Sequence, residues 1–172
     1  METKRSRAAR GGVGNVKCSG NYAVALKPLM EAKKQGFHDN LFLELETYSE
    51  NLDSAILQEM SAANVFFVLK TGEIVTPSLD RGTILPGVTR DSVITLVKEF
   101  TDDLKEAMEQ STGQSNITIS SRDVTVGELR GASEGKLKSK KKFHSFPRYV
   151  DRLLTVIQYQ HSVLELQLKS FL

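Results

Sequence analysis

The sequence predicts a mixed α/β fold followed by a basic linker and an amphipathic helical tail, and three features predict it. Apolar runs of strand length alternate with segments of helical apolar period, and glycine, proline and small polar residues punctuate them. Near Leu129 the chain becomes small, basic and aperiodic before a final amphipathic stretch. With 172 residues, 40% of them hydrophobic, the chain can bury one core rather than two generous ones. The formal charge of +2 is uneven, because the first ten residues and the stretch from Lys136 to Lys142 hold much of the positive excess. A single cysteine cannot close an internal disulfide, and no apolar run approaches the roughly 20 residues that span a bilayer, so a soluble intracellular protein is expected. The opening METKRSRAAR lacks the apolar segment of a secretory signal and is short for a transit peptide.

Taken in order, Tyr22, Leu26, Leu29 and Met30 recur at helical spacing between Tyr22 and Gln35, and Gly36 stands where a helix would stop, although Pro28 interrupts the pattern. The apolar runs NLFLEL (Asn40 to Leu45) and AANVFFVL (Ala62 to Leu69) are expected as strands, and LKTGEIVTP turns the second into a third through Thr71 and Gly72. These three are expected to be neighbours in one buried sheet. ETYSENLDSAI, between the first two, reads as a polar surface loop. After LDRGTILPG a helix is expected from about Thr89 to Gln110, with Val93, Ile94, Val97, Phe100, Leu104 and Met108 on one face; a polar STGQS linker and a strand-like NITIS follow. The chain thus divides into a basic N-terminal tail (1–10), an α/β portion (11–129), a basic linker (130–146) and an amphipathic helix (147–172). That helix would place Val150, Leu153, Leu154, Ile157, His161, Leu164, Leu168 and Phe171 on one face, which needs a partner surface.

Chemistry concentrates around GGVGNVKCSGNYA, residues 11 to 23, where glycines flank Lys17. A phosphate loop needs glycine before the lysine and a hydroxyl residue after it, but Val16 and Cys18 stand there. A dinucleotide loop needs a third glycine where Lys17 itself sits. Lys17 is then either a surface lysine or an amine held in a site. Two distant features favour the site. Glu59 opens an otherwise apolar run, which is costly unless a cation pairs with it. Pro86 and Gly87 lead into Val88 and Thr89 at a helix start, where free N–H groups form an anion site. An amine, a buried carboxylate and a helix-terminal anion site are the three anchors that pyridoxal 5'-phosphate requires.

These residues carry a resemblance. The sequence resembles the fold-type IV pyridoxal phosphate enzymes, and most of all the branched-chain amino acid aminotransferases. Lys17 precedes Gly20, Asn21 and Tyr22 as the family's lysine precedes G-N-Y. The family signature is matched by Glu59, Ser61, Asn64, Val65 and Phe66, then Ile74 and Thr76, then Leu85, Gly87, Val88 and Arg90. D-amino acid aminotransferases and aminodeoxychorismate lyases share the same pattern, whereas GGVGNVK and GTILPGVTR tilt towards the branched-chain enzymes. The resemblance implies a large domain with a mixed sheet or barrel-like core. It implies transfer of an amino group between leucine, isoleucine or valine and 2-oxoglutarate through an aldimine on Lys17, in a homodimer located in plastid, mitochondrion or cytosol. Lys17 would hold the cofactor and shuttle the Cα proton. Glu59 would keep the pyridine nitrogen protonated. Tyr22 would donate to the phenolic oxygen, and Val88 and Thr89 would bind the phosphate.

The resemblance covers Gly11 to about Leu129. Family members carry a smaller domain before the lysine motif and a G-T-G-T or G-S-G-T loop after the segment similar to SSRDVTVGEL, and this sequence shows neither, so weak or absent turnover is expected. A rival expectation is a noncatalytic remnant acting through its C-terminal helix. KLKSKKK lacks aromatic interleaving and reads as a solvated linker rather than a specific nucleic-acid site. Cys18 reads as a small core or pocket residue, His38, His144 and His161 show no metal-ligand spacing, and Glu44 and Glu46 read as solvent-facing charges.

Overall fold

A computed structural model of the chain describes residues 1–44, 51–69, 71–112 and 116–133. Glu46, nearly all of the expected linker, and the whole expected amphipathic helix lie outside the described residues. Helix α1 (Ser19–Lys34) opens the α/β portion and closes through Gly36, whose φ of +87° is a left-handed stop that glycine adopts without strain. Its buried residues are Asn21, Ala25, Pro28 and Ala32, while Leu26 and Met30 are about three-fifths exposed at 58% and 60%. The large apolar side chains therefore do not form the inner face. Ala25, Pro28 and Ala32, at helical spacing, lie on the buried side, and Pro28 is accommodated inside the helix.

The expected single sheet is instead two. Strand β1 (Leu41–Glu44) pairs antiparallel with β2 (Ile56–Met60), matching Leu41 to Met60 and Leu43 to Leu57. The reading of the chain as one sheet fails because β2 was hidden at the end of a polar stretch. Its Gln58 and Glu59 are polar yet buried, and their partners come from the N-terminal segment: Gln58 Nε2 donates to the Ala8 carbonyl at 2.9 Å, and Glu59, expected to need a cation, pairs with Arg7. The same segment adds an extended bridge to β1 through the Glu2 N–H, which donates to the Leu41 carbonyl at 2.9 Å.

Strands β3 (Phe67–Val68), β4 (Glu73–Thr76) and β5 (Thr118–Ser121) form the second sheet, with β3–β4 antiparallel and β4–β5 parallel. The turn between β3 and β4 rests on Gly72, at φ +86°; a Cβ there would fall 1.7 Å from the Asn116 carbonyl oxygen. Strand alternation splits the core. Phe67 and Val75 face Leu41, Leu43 and Leu57 of the first sheet, whereas Ile74 joins Val93, Val97, Leu104 and Ile117 under the helices. No closed barrel is formed by the described residues.

The expected helix from Thr89 to Gln110 is two helices, α2 (Val88–Glu99) and α3 (Thr101–Thr112), divided at Phe100. Thr101 marks the break, its hydroxyl donating to the Val97 carbonyl at 2.6 Å and the Lys98 carbonyl at 3.1 Å at the end of α2, and Asp102 and Asp103 then fall in the first turn of α3, where acids are favoured; the continuous apolar period masks this. Helix α4 (Val126–Ser133) takes in the first four residues, 130–133, of the expected linker. Among the described residues no helix is long and apolar enough to cross a membrane.

Candidate cofactor site

Lys17 sits between the glycine loop and α1, whose N-cap is Cys18. The loop is shaped from both ends. Asn21, buried on the first turn of α1, donates through Nδ2 to the Val13 carbonyl at 2.7 Å and to the Val16 carbonyl at 2.6 Å. Gly14 lies so close to a neighbouring segment that a Cβ would stand 2.8 Å from the Thr83 carbonyl oxygen, which accounts for glycine at that position. Lys17 itself is exposed, with Nζ 5.9 Å from the centre of the Tyr22 ring, within cation–π reach. Lys17 and Tyr22 are thus brought together.

Glu59 is the second candidate residue. Its Oε1 accepts from the Leu85 N–H at 3.1 Å and lies 2.6 Å from Arg7 Nη2; its Oε2 accepts from Asn64 Nδ2 at 2.6 Å. Arg7 and Glu59 side chains are each only 3% exposed. Burial pushes the Glu59 carboxyl above the usual carboxylate range, and the Arg7 charge, the Leu85 N–H and Asn64 pull it back. The cation that Glu59 requires is therefore Arg7, which sequence reasoning missed. The available signal was the unmatched buried acid together with a basic segment at the other end of the domain.

Asn64 connects the acid to the helix terminus. The same Nδ2 donates to the Leu85 carbonyl at 2.8 Å, and a Cβ on Gly87 would fall 2.1 Å from Asn64 Oδ1. Gly87 is the N-cap of α2, in extended conformation and without a side-chain cap, so the first-turn amides have no side chain folded over them. Val88 and Thr89 follow it and are exposed, Val88 at 84%. Arg90, the basic residue of the signature, points elsewhere: it is buried, and Nη2 donates to the Pro77 carbonyl at 3.1 Å and to Ser121 Oγ at 2.7 Å. Thr76 is likewise structural, its hydroxyl donating to the Val65 carbonyl at 2.7 Å.

The residues present fit pyridoxal phosphate in two respects that the structure itself shows. A buried carboxylate retains acceptor capacity on Oε2, and uncapped amides stand one residue beyond the glycine that Asn64 abuts. Arg7 ties Glu59 to the glycine loop that precedes Lys17, its Nη1 donating to the carbonyls of Thr83 at 3.0 Å and Gly14 at 3.4 Å.

Glu44, expected to face solvent, is instead buried at 2% exposure, with Arg10 Nε 2.5 Å from Oε1 and Arg81 Nη1 3.1 Å from Oε2. Arginines recruited from two loops explain how the acid can end an apolar strand. Cys18 is partly exposed, and among the described residues no cluster of histidine, cysteine and acidic side chains could hold a metal.

Known proteins share this arrangement of segments. The chain is 41% identical over 100 residues to branched-chain-amino-acid aminotransferase 2 of Bacillus subtilis, covering 58% of this chain and 25% of that protein. It is 37% identical over 134 residues to the chloroplastic branched-chain-amino-acid aminotransferase 5 of Arabidopsis thaliana, covering 78% of this chain and 27% of that protein. The crystal structure of the branched-chain amino acid aminotransferase of Thermobaculum terrenum in its PLP form superposes with a TM-score of 0.53 at 27% identity, over 72% of this chain and 33% of that one. The chain spans about a quarter of the length of these curated relatives. The family model for amino-transferase class IV matches residues 3–135, and with the Lys17, Glu59 and α2 segments all inside that match, the chain belongs to the class IV aminotransferases.

Proposed function

We propose that the described residues carry the cofactor-binding part of a branched-chain amino acid aminotransferase, which exchanges the amino group between leucine, isoleucine or valine and 2-oxoglutarate. The observation that carries this reading is the buried Glu59 carboxylate, tied through Asn64 and Leu85 to the uncapped N-terminus of α2. Such a pairing of a ring-nitrogen acceptor with an anion site is what a phosphorylated pyridine needs at its two ends. Pyridoxal phosphate, when bound, supplies an electron sink for the charge left at the amino acid Cα. Every other task falls to the chain. Lys17 Nζ is the amine that holds the cofactor and takes and returns the Cα proton. The Tyr22 hydroxyl donates to the phenolic oxygen. Glu59 accepts from the ring nitrogen, and the amides of Val88 and Thr89, with the Thr89 hydroxyl, bind phosphate.

Relatives named as branched-chain-amino-acid aminotransferases support the substrate class. The test is equilibrium binding of pyridoxal phosphate to the full chain, followed by its absorption spectrum, against pyridoxal lacking the phosphate. The reading predicts saturable binding that needs the phosphate and weakens at least tenfold in Glu59→Gln. Binding that ignores both would contradict it. Turnover of leucine with 2-oxoglutarate then separates a branched-chain enzyme from one acting on D-amino acids.

A further inference from the structure

Arg7 belongs to none of the signature positions, yet its guanidinium is the group on which the acid half of the site is built. It is buried, and its Nη1 donates to carbonyls from two separate segments, Thr83 at 3.0 Å and Gly14 at 3.4 Å. Nη2 meets Glu59 Oε1 at 2.6 Å. Its Nε, equally buried, has no described partner, so the guanidinium is turned towards Glu59 at the expense of one hydrogen bond. A planar fork pinned at two backbone carbonyls cannot follow a moving carboxylate; the carboxylate must conform to it. Oε1, with Arg7 and the Leu85 N–H, has both lone-pair positions taken, whereas Oε2 carries Asn64 alone.

We propose that Arg7 is a positioning residue that fixes Glu59 by clamping Oε1, so that Oε2 beside Asn64 is the oxygen that receives the N–H of a cationic aromatic ring. This deepens the cofactor reading of Glu59 and rests on it. The same guanidinium supplies the positive charge that opposes the upward push of burial on the Glu59 carboxyl. Among the described residues Arg90 of α2 also feels the Glu59 charge, but its guanidinium is committed to Pro77 and Ser121. Lysine at position 7 would keep the charge and lose the fork.

The experiment is a pH titration of the Glu59 side-chain carbon by NMR in the full chain labelled with carbon-13 glutamate, with the signal assigned by its disappearance in Glu59→Gln. Arg7→Met should move the Glu59 midpoint upward, whereas Arg7→Lys should keep it close to that of the unsubstituted chain but weaken pyridoxal phosphate binding at least tenfold. An unchanged midpoint in Arg7→Met, or full cofactor affinity in Arg7→Lys, overturns the proposal. Should Arg7→Met fail to fold, the double variant Arg7→Met with Glu59→Gln decides. Recovery of folding shows that the two residues act as one charge pair, and persistent unfolding assigns Arg7 to the Gly14 and Thr83 carbonyls and overturns the proposal. A midpoint shift in a chain that binds no cofactor keeps Arg7 as the group that sets the Glu59 charge and overturns the cofactor reading instead.

Discussion

Glu59 and Lys17 show how differently two residues of one motif are treated by the fold. Glu59 is sealed in place by Arg7, Asn64 and the Leu85 N–H, whereas Lys17 stands at the surface beside Tyr22. Their substitutions should therefore separate stability from function. Glu59→Gln leaves a buried guanidinium without its counter-charge, which should cost about 3 to 5 kcal/mol of unfolding free energy by urea titration. Lys17→Ala removes an exposed side chain and should change stability by less than about 0.5 kcal/mol while abolishing cofactor attachment. A stability loss at Lys17 as large as at Glu59 would refute this division. Both residues were singled out in the sequence by the resemblance to the family motif, and the burial of Glu59 was legible from an acid opening an apolar run. Arg7 was not, since it is distant in sequence from Glu59 and has no local pattern. Glu44 failed for the same reason: its arginine partners come from residues 10 and 81.

The elements that hold the site depend on two close approaches of backbone. At the α2 terminus, Gly87→Ala would place a methyl group 2.1 Å from Asn64 Oδ1 and push Asn64 off Glu59. Weakened cofactor binding with a modest stability loss is expected, because Asn64 is a side chain that can give way. Gly72→Ala meets a carbonyl oxygen at 1.7 Å, in a turn with φ of +86°, where nothing flexible can yield. It should destabilise by about 1 to 3 kcal/mol, and a thermal melt comparing the two variants should rank Gly72 as the costlier. The β3–β4 turn, β5 and the stop at Gly36 could be read from glycine and strand-length apolar runs. The β2 strand could not, because Gln58 and Glu59 are polar for the sake of partners that only the tertiary fold supplies. The inner face of α1 could not be read from its large apolar residues, because Ala25, Pro28 and Ala32 are the buried ones while Leu26 and Met30 are exposed.

Across the molecule, ion pairs join segments that the hydrophobic pattern leaves separate. Arg122, just after β5, reaches Glu73 on β4 at 2.8 Å and Glu128 on α4 at 2.5 Å. Hydrogen bonds from Arg122 and Ser120 hold the Glu73 carboxyl at about 2, well below its ordinary value of 4.5. Because the folded state depresses this pKa, the stabilisation is fully present above about 4.5 and is lost as the pH falls towards about 2. Arg122 is more than a third exposed, so solvent screening makes the effect modest. The stability difference between the unsubstituted chain and Glu73→Gln should be greatest at neutral pH and vanish near pH 2; a difference that is flat with pH would exclude Glu73 as the linked group. The mixed α/β class was legible because strand-length and helix-length apolar segments alternate. The division into two sheets was not, since it follows from the hidden β2 and from N-terminal residues that pack far along the chain.

The central claim is that Lys17 and Glu59 belong to one cofactor site, and it is tested most directly by incubating the full chain with pyridoxal phosphate, reducing with borohydride and mapping the modified lysine by peptide mass. The account predicts a pyridoxyl group concentrated on Lys17 and lost in Glu59→Ala or with competing inorganic phosphate. Labelling scattered over the surface lysines, or labelling of Lys17 indifferent to Glu59 and to phosphate, would contradict it.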